Sequence, residues 1–222
     1  MKSKTRFIAA ILAIAAFSGC NVTESVYRSE DEKWEALFDG ETLNGWIQRG
    51  GKARYHVKDG TIVGTTVRHS PNSFLCTEET YGNFILELEF KVDPALNSGV
   101  QIRSRSLKEY KKGRVHGYQV EIDPSERAWS GGIYDEARRG WLNDLKDNEA
   151  ARKAFKNGEW NHFRIEAIGD LIKTWLNGVP AADLTDSMTA TGFIALQVHS
   201  TNSEKPLHVR WRNIRIQNLD HN

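Results

Sequence analysis

The sequence predicts an all-β protein: two antiparallel sheets packed face to face, with one inserted loop that carries a short helix. Three observations predict it. Short runs with period-two alternation recur at roughly even spacing, Gly-, Asn- and Asp-containing turns separate them, and a single segment, residues 136–158, lacks that period.

The elements follow in order. Arg54–Val57, the Asp59-Gly60 turn and Thr61–Thr65 read as a hairpin. In residues 83–92 (NFILELEFKV), Phe84, Leu86, Leu88 and Phe90 alternate with Ile85, Glu87, Glu89 and Lys91. Strands over Gly99–Arg105 and Tyr118–Asp123 come next. Residues 136–158 (EARRGWLNDLKDNEAARKAFKNG) read as a long loop, with Leu142, Leu145, Ala151, Ala154 and Phe155 forming a weak helical stripe. Asn161–Ala167, the Gly169-Asp170 turn, Leu171–Leu176 and the Asn177-Gly178 turn resume the strand pattern, and Phe193–His199 and His208–Gln217 close the chain. Trp46, Trp175 and Trp211 are expected in the core, and Arg138-Arg139 as a solvated pair.

The first 19 residues are excluded from the fold. Lys2, Lys4 and Arg6 precede an apolar run over residues 7–17, too short to span a bilayer and suited to a secretory signal. Phe17-Ser18-Gly19-Cys20 resembles a bacterial lipobox, which implies lipidation at Cys20, a membrane anchor and a place in the cell envelope, periplasmic or outer-membrane. Residues 20–33 are polar and suit a tether, leaving 34–220 as one domain. Without the leader the chain has 27 basic against 29 acidic residues, which provides no electrostatic footprint for nucleic acid. Cys76 then has no disulfide partner besides the lipidated position, so the core alone must hold the fold.

Period two also assigns faces. Tyr118, Val120 and Ile122 oppose Gln119, Glu121 and Asp123. Val100 and Ile102 oppose Gln101, Arg103 and Arg105. Ile194, Leu196 and Val198 oppose Ala195, Gln197 and His199. If these strands are neighbours, their polar faces make one surface rich in groups that bind hydroxyls or move protons. Glu121 and Asp123, about 7 Å apart along a strand, suggest a glycosidase pair, but the amide at Gln119 replaces the first carboxylate of the E-x-D-x-E alternation found in glycosidases on lectin-like sandwiches. Glu121 and His199, with Gln and water, could hold a divalent ion (Mn, Co or Ca), although no H-x-H or C-x-x-C spacing is present. Trp141, in the irregular segment, is a candidate sugar platform.

The stretches LFDGETLNGW (37–46), FLCTEETYGNFILELEFKVD (74–93), LNSGVQIRS (96–104), GYQVEID (117–123), GGIYDEARRGWL (131–142) and GFIALQVHS (192–200) together resemble the 3-keto-disaccharide hydrolase domain family. The resemblance implies a concanavalin A-like jelly-roll β-sandwich. It also implies cleavage of glycosides already oxidised at C3 by a separate 3-dehydrogenase, by a hydrolase or 1,2-lyase reaction. A C3 ketone acidifies the C2 proton, so one base, an electrophile at the C3 oxygen and an acid at the leaving oxygen suffice. On this reading Glu121 or His199 is the base, aided by a divalent ion or by Arg103 at the enolate oxygen. Gln119, Gln197 and Asp123 hold hydroxyls, and Tyr134 and Trp141 close over the ring. A non-catalytic carbohydrate-binding module and a conventional endo-glycosidase are the alternatives.

Overall fold

The structure, a computed structural model, describes residues 34–220; the leader, Cys20 and the tether lie outside the described residues. Its strands are β1 (Glu35–Ala36), β2 (Trp46–Gly50), β3 (Arg54–Lys58), β4 (Thr61–Thr65), β5 (Ser73–Thr77), β6 (Phe84–Val92), β7 (Ser98–Arg105) and β8 (His116–Ile122). They continue with β9 (Ile133–Glu136), β10 (Gly140–Asn143), β11 (Asn161–Ile168), β12 (Leu171–Leu176), β13 (Val179–Thr185), β14 (Phe193–Val198) and β15 (His208–Asn218), and one short helix, α1 (Glu149–Ala154), follows β10.

Two antiparallel sheets form. One has the order β13-β12-β11-β6-β15-β4-β3, with β1 also paired to β15; the other has the order β10-β9-β8-β7-β14-β5-β2. The expected turns have the backbone that hairpins need: Asp59 and Gly60 have φ of 49° and 68°, and Asn177 and Gly178 of 51° and 81°. The expected long loop is more regular than its sequence suggests. Residues 133–143 are a hairpin, and only 144–160 are left for the helix and its connections.

The core lies between the sheets. Leu86, Leu88 and Phe90 of β6 and Phe163 and Ile165 of β11 meet Val100 and Ile102 of β7, Tyr118 and Val120 of β8, and Ile194 and Leu196 of β14. The rings of Phe90 and Phe163 pack at a tilt of 39°, with centroids 4.5 Å apart. Trp46 and Trp211 are buried, whereas Trp175 is half-buried on the outer face of β12.

The two outer faces differ. On the eight-stranded sheet, Glu87, Glu89 and Arg164 are half-exposed, with Arg164 paired to Glu87 and Glu89 to Arg212, as antiparallel outer faces usually are. On the seven-stranded sheet the outer face is buried along its middle as well: every residue of β5, β8 and β14 is buried. The β7–β8 connection helps to cover it, since Tyr110 Oη and Lys111 Nζ both donate to Ala137 O in the β9–β10 turn (2.8 and 2.6 Å). A buried polar layer therefore lies outside the core, and the candidate site is built on it.

Candidate active site

β8, β7 and β14 are neighbours, and their registers bring the polar residues together. Gln101 lies opposite Gln119, and Gly99 lies opposite both Glu121 on β8 and Gln197 on β14. Because Gly99 has no side chain, the Gln119 carboxamide lies across it; a Cβ at position 99 would sit 2.6 Å from Gln119 Cδ. Lying there, Gln119 accepts from Gln101 Nε2 (2.5 Å) and Gln197 Nε2 (2.9 Å) and donates through its own Nε2 to Glu121 Oε2 (2.7 Å). Ser104 Oγ donates to Gln101 Oε1 (2.8 Å) at the far end. Asn97 Nδ2, just before β7, donates to the other carboxylate oxygen, Glu121 Oε1 (2.5 Å). All donors in this chain run toward Glu121, so the network ends on a carboxylate that two amides hold as an acceptor.

Glu121 is 5 % exposed. Desolvation, the largest influence, pushes its pKa up to about 7, and the nearby Asp123 charge pushes the same way; the Asn97 and Gln119 hydrogen bonds and Arg127 act against the rise. A carboxyl that titrates near neutrality and is fixed in orientation is suited to proton transfer.

Glu121 and Gln119 form part of the wall of a cleft of about 640 Å³. Tyr134 and Trp141 face each other in register on the β9–β10 hairpin, edge to face at 5.4 Å, and both line the cleft. Arg127 also lines it; its guanidinium lies 4.9 Å from the Trp129 ring centroid and 5.8 Å from that of Trp141. His199 stands at the end of β14, half-buried, and lines the cleft too. Its Nδ1 bonds to Ser200 O at 2.8 Å. A carbonyl only accepts, so Nδ1 carries the proton and Nε2 is the nitrogen left to exchange one.

Four sequence expectations are placed elsewhere. Arg103 does not reach the cleft: a β-bulge between Ile102 and Arg105 gives it φ of 44° and breaks the alternation. Its Nε and Nη1 instead donate to Gly82 O and Gly169 O, both at 2.7 Å, tying β7 to the ends of the opposite sheet. Gln197 is fully buried behind Gln119 and supports it rather than lining the cleft. Asp123 also lies behind the lining: it accepts from Arg127 Nε (3.0 Å) and Ser125 N (3.1 Å), so it positions Arg127. Arg138 and Arg139 are not a solvated pair; both donate to the fully buried Asp135, at 2.6 and 2.5 Å, and Arg139 also holds Asp186.

Glu121 and His199 both line the cleft, but among the described residues no three His, Cys, Asp or Glu side chains group to hold a metal ion. Both Glu121 oxygens already accept amide hydrogens.

Residues that face assignment passed over complete the site: Asn97, Gly99, Arg127, Asn72, Lys111 and Arg114. Only Gly99 carries a local signal, since glycine inside a strand marks a close approach. The others sit on connections, where no period operates.

Residues 33–217 match the sequence profile of the 3-keto-alpha-glucoside-1,2-lyase-like domain. No curated protein sequence matches the chain. Solved structures share the fold. A candidate glycosyl hydrolase from Parabacteroides distasonis is 22 % identical, with a TM-score of 0.61 over 86 % of this chain and 98 % of its own. A second from the same organism is 24 % identical, with a TM-score of 0.57 over 84 % and 100 %. A Bacillus subtilis protein with a galectin-like fold is 10 % identical, with a TM-score of 0.56 over 79 % and 90 %. The sandwich is thus a jelly-roll-like, lectin-type fold.

Proposed function

We propose, for a chain that belongs to the 3-keto-alpha-glucoside-1,2-lyase-like domain family, that it cleaves glycosides bearing a ketone at C3, with Glu121 as the base. The observation that carries this reading is the buried Glu121 carboxylate, held by Asn97 and Gln119 and titrating near 7, on the wall of a cleft flanked by two aromatic rings.

Glu121 takes the C2 proton, and the electron pair moves into an enolate on the C3 oxygen. The enolate collapses, forming the C1–C2 double bond and expelling the aglycone oxygen from C1, which takes a proton from His199. The products are an enone and the free alcohol; adding water across the double bond yields the 3-keto sugar, the net hydrolysis product. Enolate formation needs a positive charge near the C3 oxygen. Arg127 is the best-placed cation: Asp123 fixes it, two tryptophans flank it, and it lines the same cleft. Tyr134 and Trp141 provide apolar faces for the sugar ring.

One base, rather than two opposed carboxylates, is what elimination requires. Asp123 is engaged with Arg127 behind the lining, which disfavours a conventional acid–nucleophile glycosidase. The substrate must be supplied by an oxidoreductase that oxidises C3 of the glycoside. Export and lipid anchoring through Cys20 would place this step in the cell envelope. The test is to incubate the protein with matched native and 3-keto glucosides and identify the products; turnover of the 3-keto form alone is expected. Chelation followed by addition of Mn, Co or Ca, on the same substrates, reads whether an ion joins these side chains.

A further inference from the structure

The first cleft opens into a second of about 670 Å³, and the two share Asn72, Lys111, Arg114 and His199. The second adds apolar groups to that shared polar set. The second is floored by Phe74 and Val115, which are 2 % and 1 % exposed and cluster with Cys76, Phe193 and Ala195. On this half of the seven-stranded sheet the outer face changes from amides to apolar groups, so beside the polar rim there is an apolar floor on which a flat ring would be desolvated favourably. The rim is cationic: Lys111, Lys112 and Arg114 line it, and no acidic residue does.

Arg114 is partly neutralised by Glu136 at 3.0 Å. The lysines are not. Lys111 Nζ bonds to the neutral carbonyl of Ala137 (2.6 Å), and Lys112 makes no ion pair among the described residues. Lys111, Lys112 and Gly113 have φ of 43°, 59° and 85° in succession. Glycine adopts that region without strain and lysine does not. The tight turn so made holds both lysines at the rim of the second cleft.

We infer that this second cleft is the aglycone subsite and that it selects an apolar, anion-bearing aglycone, such as an aryl carboxylate or aryl sulfate, rather than a neutral sugar. The inference rests on the proposed function. His199 belongs to both clefts and therefore stands where the glycosidic oxygen would lie, the position its role as proton donor to the leaving group requires.

The test compares kcat/KM for 3-keto-glucosides of 4-hydroxybenzoate, phenol and glucose, in the wild type and in Lys112→Glu. The wild type should prefer the carboxyphenyl over the phenyl substrate by roughly three- to tenfold at low salt, and the disaccharide should be poorest. About 0.5 M salt or Lys112→Glu should abolish the carboxylate preference, bringing the carboxyphenyl-to-phenyl ratio of kcat/KM to about one. Equal use of the two aryl substrates by the wild type, or a preference that survives Lys112→Glu, would overturn the inference. If no 3-keto-glucoside is turned over, the proposed function fails by itself. Calorimetry with 4-hydroxybenzoate then reads the subsite directly: binding weakened by Lys112→Glu upholds it, and no binding to the wild type overturns it.

Discussion

The Gln119 carboxamide occupies the space where any side chain at position 99 would stand. A Cβ on Gly99 would fall 2.6 Å from both Cγ and Cδ of Gln119. That contact joins β14, β7 and β8 in one hydrogen-bond chain that ends on Glu121. Gly99→Ala should therefore act on chemistry through packing. We expect it to displace Gln119, lower kcat/KM about tenfold or more, and destabilise the fold by ~1–3 kcal/mol, as overpacking does. Parallel kinetics and urea unfolding of the variant check both effects.

The pH profile should respond to the neighbours of Glu121 in opposite directions. As a base, Glu121 must be ionised, so kcat/KM should rise with pH through a midpoint near 7. The Asn97 hydrogen bond favours the anion, so Asn97→Ala should move that midpoint up. The Asp123 charge disfavours the anion, so Asp123→Asn should move it down, with some loss of rate as Arg127 loosens. Two shifts of the same sign would contradict the role given to Glu121.

The same carboxyl makes stability depend on pH. Its folded value near 7 lies above the ordinary 4.5, so the folded state binds the proton more tightly than the unfolded chain does. The corresponding stabilisation is complete below about 4.5 and is lost as pH rises through 7, roughly 3 kcal/mol in all. Glu121→Gln removes this dependence. Relative to wild type the variant should gain stability between pH 5 and pH 8, even though its amide must place an N–H against Asn97 or Gln119. Urea unfolding of both proteins at the two pH values measures the difference.

Arg103 separates structure from chemistry. It is 1 % exposed and donates to two backbone carbonyls at strand ends of the other sheet. Arg103→Ala would leave those carbonyls without their donor and should cost about 2–4 kcal/mol of stability. The folded variant should keep kcat/KM within about threefold of wild type. A large loss of kcat with unchanged stability would return Arg103 to the site.

How much could be read from the chain depended on whether one face was wet. β6 and β11 alternate buried and half-exposed residues, and their sequences announce them. β5 is buried on both faces, so Ser73–Thr77 shows no alternation, although it lies beside β14 at the floor of the second cleft. The polar faces of β7, β8 and β14 were legible as one surface because period two held along most of each strand. It failed at Arg103, where a bulge moves the phase by one residue and no sequence pattern marks the bulge. Asn97 and Arg127 stayed invisible because each is brought to the cleft by a connection, and only the folded register says which carboxylate it meets.

The most direct test of the central claim is turnover of a 3-keto-glucoside and its native glucoside by wild type and Glu121→Gln, with products identified. The account predicts that wild type releases the aglycone from the 3-keto form only, and that Glu121→Gln, still folded, loses at least about a hundredfold in kcat. Cleavage of the native glucoside, or wild-type rates on the 3-keto form in Glu121→Gln, would contradict it.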